Sequence, residues 1–133
     1  MDRAVLHLPE LLKKESKQAL DILASSLDGS WTSMIIATSD GFEVAARSRN
    51  GVEVSKLAAM GCSISALGVM CAHESGIGLH RSVIVEATEG LIVIIEIPNP
   101  ELPMILTLAV NGTDVLGQVL YQARRAAKGL EHP

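Results

Sequence analysis

The chain has 133 residues, a formal net charge of −4 and 48% hydrophobic residues, with only three aromatic side chains among Phe, Trp and Tyr. That length predicts one domain, able to bury ~68% of its unfolded surface without a disulfide or metal. An acidic chain so poor in aromatics offers neither a phosphate-matching charge nor base-stacking platforms, so nucleic acid is excluded as a partner.

The opening, MDRAVLHLPELLKKESK, scatters its charges and has no apolar run of signal-peptide length, which reads as mature cytoplasmic sequence. Pro9 suits a helix start. Leu8, Leu11, Leu12, Ala19, Ile22, Leu23 and Leu27 then form a one-sided apolar stripe, and Gly29 is the expected stop. Trp31 to Thr38 reads as a strand, Asp40-Gly41 as a hairpin turn and Phe42 to Ser48 as the return strand.

A second helix is predicted from Glu53 to Glu74, broken by Ser75-Gly76-Ile77-Gly78. It carries no charge from Leu57 to Ala72, so it has too little polar surface to face water on any side. Leu57, Met60, Ile64, Leu67 and Cys71 make a stripe of larger side chains, expected to fill the sheet surface. Ala58, Gly61, Ser65, Gly68 and Ala72 make a stripe of small ones, expected to admit the backbone of a second subunit. Glycine costs ~1 kcal/mol against alanine in a helix, so two of them call for a close contact. Contact with the chain's own sheet is the alternative. The uncharged run is shorter than the ~20 apolar residues of a membrane span, and no membrane insertion is expected.

Three strands follow, Ser82 to Ala87, Leu91 to Ile97 and Met104 to Val110, and a final helix is capped by Thr113 or Asp114. Leu116, Val119, Leu120, Ala123, Ala127 and Leu130 are its apolar stripe. Leu91 to Ile95 is apolar on successive residues, so both faces of that strand need cover. Short connections demand antiparallel pairing. The expected class is therefore α/β (α+β): a five-stranded antiparallel sheet with helices on both faces, in the order α-β-β-α-β-β-β-α. The strand of Ser82, Val83, Ile84, Val85 and Glu86 has one charge and no proline, and at a sheet edge it would invite pairing with another chain.

Chemistry-bearing patterns are scarce. No phosphate loop or dinucleotide fingerprint is present, and His7, His73, His80 and His132 lack metal-ligand spacing, so no cofactor, metal or catalytic residue is assigned. Cys62 and Cys71 fall on opposite faces of one helix, cannot bridge each other there, and read as small buried hydrophobes in a reducing compartment. Arg47, Arg49 and Arg81 are weighed as groups that stabilise a transferring phosphoryl in a partner, although arginines at strand ends ordinarily serve the surface.

The hairpin SDGFEVAA, the helix opening VSKLAAMGCSISALG, the Gly76-x-Gly78 turn, the strand GLIVIIEI and the segment LGQVLYQARRAAKGL together resemble the roadblock / dynein light-chain domain family, nearest its bacterial MglB-like members. The resemblance spans roughly residues 9 to 130. It implies pairing through the central helix and third strand as a homodimer, and a non-enzymatic platform for a small Ras-like GTPase whose hydrolysis it modulates. A structural scaffold without effect on nucleotide turnover, or a small-ligand sensor, are the competing readings.

Overall fold

The computed structural model describes residues 9–49, 51–78, 82–112 and 116–131. The expected cap at Thr113 or Asp114, together with Leu8, His7, His80, Arg81 and His132, lies outside them. Helix α1 runs Glu10–Leu27, β1 Trp31–Thr38, β2 Glu43–Ser48, α2 Val54–Ser75, β3 Ser82–Ala87, β4 Gly90–Ile97, β5 Met104–Asn111 and α3 Leu116–Lys128. The predicted order holds, and the bounds of β1 and β3 coincide with those read from the sequence.

The five strands form one antiparallel sheet in the order β2-β1-β5-β4-β3. Helices α1 and α3 pack against each other and on one face, and α2 covers the other. This layering satisfies the all-apolar β4 strand: Leu91, Val93 and Ile95 turn toward α1 and α3, while Ile94 lies beneath α2, all buried. The larger core sits between the sheet and the α1–α3 pair, filled by Leu20, Leu23, Met34, Ile36, Leu106 and Leu108.

The face α1 buries is rotated from the predicted stripe. Leu12, Ser16, Leu20, Leu23 and Leu27 point inward, whereas Leu11 and Ile22 are exposed. The β1–β2 connection also departs from a two-residue turn. Gly41 N–H donates to Thr38 O at 2.9 Å, Thr38 N–H to Phe42 O at 2.8 Å, and the register slips between Ile36 and Ala37. That slip is a bulge, which twists β2 as an edge strand requires.

Gly76 ends α2. At φ +67° it adopts the left-handed conformation that glycine enters without strain, and Ile77 N–H donates back to Ala72 O at 3.3 Å. At the far end of the sheet, Asn99 ties the β4–β5 loop to α3. Its amide donates to Leu130 O at 2.7 Å, while Glu101 and Leu102 N–H donate to its Oδ1 at 2.9 and 3.2 Å.

Candidate interaction surface

Helix α2 inverts the expected assignment of its two stripes. Its buried residues are Ala58, Gly61, Ser65 and Ala72, the small ones, and they face the chain's own sheet. The reason is steric. The strands beneath present the bulky buried side chains of Ile35, Ile94 and Ile105, so only a helix side almost free of side chains can lie close. Gly61 sits on Thr107, with no room between them for a Cβ. Ser65 Oγ donates to Glu96 Oε2 at 3.4 Å. The subunit contact expected through Ala58, Gly61, Ser65 and Ala72 is therefore corrected, since their own sheet covers them; Gly68, of the same stripe, is half-buried.

Of the larger stripe Met60, Leu67 and Cys71 turn outward, while Leu57 and Ile64 are half-buried and Leu57 packs against Ile35, Ala37 and Ala58. Met60 is 54% exposed, Leu67 59% and Met70 62%, and Cys71 is exposed beside them; Val69, nine residues from Met60, is on the opposite flank. By length and composition α2 would suffice to cross a membrane, which its 16 uncharged residues did not suggest. Here it is one layer of a domain, laid over β1 and β5 with the polar Thr107 and Glu96 beneath it.

Strand β3 borders this face. Among the described residues it pairs with β4 alone, in register from Ser82↔Ile95 to Ala87↔Gly90, and none of them pairs with its other side. Val83 and Val85, opposite Ile94 and Ile92, share the α2 side and are half-buried. Ser82, Ile84 and Glu86 are on the α3 side, where Arg124 donates to Ser82 Oγ at 3.3 Å. An apolar helix face and the free edge of a strand thus adjoin.

Neither cysteine is the buried hydrophobe expected, because the small inner stripe of α2 leaves Cys71 on its exposed side. Cys62 is half-buried with its thiol 3.3 Å from Thr38 O, and burial, then the charge of Asp40, pushes its pKa up. Among the described residues no group of three His, Cys, Asp or Glu side chains is placed to hold a metal ion.

The arginines have structural work that sequence reading missed. Arg49 lies 3.9 Å from the Trp31 ring centroid and Arg47 5.1 Å. Arg49 also donates to Gly29 O at 3.2 Å and Asp28 O at 3.5 Å, the carbonyls just past α1, and Arg47 pairs with Asp21 at 3.2 Å. The signal available was one Trp at the start of a strand and two basic residues at the end of the strand after it.

No protein-family model matches the chain, and no curated protein sequence matches it significantly. Solved structures do. Myxococcus xanthus MglB superimposes with a TM-score of 0.79 at 13% identity, covering 94% of this chain and 91% of that one. A roadblock/LC7 domain from Streptomyces avermitilis gives 0.74 at 16% identity, over 86% and 92%. A structure described as MglB with tetrameric arrangement gives 0.74 at 19% identity, over 88% of each chain. At these identities the likeness establishes the fold: this chain has the roadblock fold, in the form that the MglB structures share.

Proposed function

We infer that this protein is a cytoplasmic homodimer that serves as a non-enzymatic platform for a small Ras-like GTPase and modulates its hydrolysis of GTP. The observation that carries the dimer is the apolar outer face of α2 lying beside the open edge of β3. Magnitudes decide what kind of contact completes it. Met60, Leu67 and Met70 are each a little over half exposed, so covering one yields roughly 1 kcal/mol, half of what full burial of such a side chain gives. Two copies then gain about 6 kcal/mol, toward the low end of the ~4–15 kcal/mol that association costs. Helix contact alone does not hold a dimer; antiparallel pairing of β3 with its twin supplies the rest and extends the sheet across a two-fold axis.

The partner class rests on the roadblock resemblance, and self-association of this fold has a precedent in the tetrameric MglB structure. The reading assigns the chain no catalytic residue and no cofactor. Nucleic acid and membrane insertion have no part in it.

Sedimentation at micromolar concentration is expected to give twice the chain mass; a monomer removes the dimer. Affinity capture from the native cell with GTP present is expected to recover a small GTPase whose hydrolysis rate then changes on adding the protein. If no GTPase is recovered the partner class fails, and an unchanged rate leaves a scaffold.

A further inference from the structure

The far edge of the sheet carries a second surface with a different character. Lys13, Lys14 and Lys17 project from α1 over β2, and Arg47 and Arg49 follow along the same side. These are five of the eleven Lys and Arg residues in a chain whose net charge is −4. Between the lysines and the strand runs an open groove of about 350 Å³ whose floor is Val44, Ala45 and Ala46. A separate hollow of about 240 Å³ lies further along, lined by Ala24, Ser25, Asp28, Trp31, Arg47 and Arg49.

Glu10 lines the groove and Asp28 the hollow, so with Asp21 three carboxylates stand among the five cations. Glu10 reaches Lys13 at 4.0 Å and Asp21 reaches Arg47 at 3.2 Å, both as exposed pairs that contribute little. Lys14, Lys17 and Arg49 have no carboxylate within 4 Å among the described residues. Along α1, the fifteen steps from Lys13 to Asp28 span ~22 Å at ~1.5 Å each. An extended chain at ~3.3 Å per residue covers that length with roughly seven residues.

We propose that this strip docks an extended acidic segment of a partner protein. The segment's carboxylates meet the lysine row and the two arginines, and its backbone follows the shallow floor at Val44 and Ala45, whose own side chains are buried. Charge complementarity selects the occupant. The narrow apolar floor and the burial of Trp31 disfavour nucleic acid, which needs exposed rings for its bases. Because β2 and β3 are opposite edges of the sheet, the strip stays open when a twin pairs at β3, and a dimer carries one at each end. The proposal stands independently of that pairing.

Fluorescence anisotropy of the full chain with a labelled octapeptide of alternating Glu and Thr tests it. Binding is expected, and is expected to weaken as ionic strength rises from about 0.01 M to about 0.15 M, where the screening length falls from ~30 to ~8 Å. The triple change Lys13→Glu, Lys14→Glu, Lys17→Glu should weaken it at least tenfold, as should the milder Gln triple, whereas Lys56→Glu with Lys128→Glu should not. Unchanged helicity and melting temperature check that each variant folds. No binding, equal loss in both variant sets, or equal affinity for an alternating Gln and Thr peptide overturns the proposal. So does a single-stranded oligothymidylate of matched charge that binds as tightly as the peptide.

Discussion

Gly61 of α2 and Thr107 of β5 are in direct contact across the helix–sheet interface. Any Cβ added at 61 would run into the Thr107 hydroxyl and come within 3.3 Å of its Cβ and 3.4 Å of its Cγ2. Thr107 is buried and β-branched, so it has little freedom to turn aside.

Gly61→Ala should therefore destabilise the fold despite the better helix propensity of alanine. Overpacking costs about 1–3 kcal/mol and propensity returns ~1 kcal/mol, leaving a net loss of up to ~2 kcal/mol. Urea unfolding measures it. Combining it with Thr107→Ala should make the helix change less costly than it is alone, and strictly additive losses would show that the two residues are not in contact.

On the opposite side of the same helix, Leu67→Glu should leave monomer stability within about 0.5 kcal/mol, because Leu67 is 59% exposed and a surface change rarely costs more. It should nevertheless convert the proposed dimer to monomer in light scattering. Ile84→Lys on β3 should do the same by placing a charge on an open edge. A dimer that survives both changes is built on another surface.

Arg49→Ala removes a stacking contact on Trp31 and two hydrogen bonds to carbonyls at the end of α1. A loss of about 1–3 kcal/mol is expected from cation–π and charge-assisted terms, with Arg49→Lys intermediate because an ammonium cannot reproduce the planar fork. Trp31 is the chain's single tryptophan, so its fluorescence reports both the unfolding and the altered ring environment.

Thiol labelling should separate the cysteines. Burial and Asp40 raise the Cys62 pKa, which lowers its thiolate fraction at neutral pH and slows its reaction. Cys71 is exposed on the outer face of α2 and should label first in dilute protein. At concentrations that favour the proposed dimer its rate should fall, while that of Cys62 stays constant. A Cys71 rate independent of concentration argues against α2 as the covered face.

Much of the architecture was legible because its signals are local. Alternation and apolar runs mark each strand, Asp40-Gly41 and Gly76 punctuate the chain, and the doubly apolar β4 demanded a helix layer on each side. Local chemistry could not say which side of α2 meets the sheet. Hydrophobicity is spread around that helix almost evenly, so its burial was settled by the space left above Ile35, Ile94, Ile105 and Thr107, and small residues won the inner face. The pairing of β1 with β5, which sends β2 and β3 to opposite edges, was likewise decided only when distant segments packed. So was the engagement of Arg47 and Arg49 with Trp31. Spacing along a chain dictates where a helix or strand runs, but which face closes depends on the volume its neighbours leave, and that exists only in three dimensions.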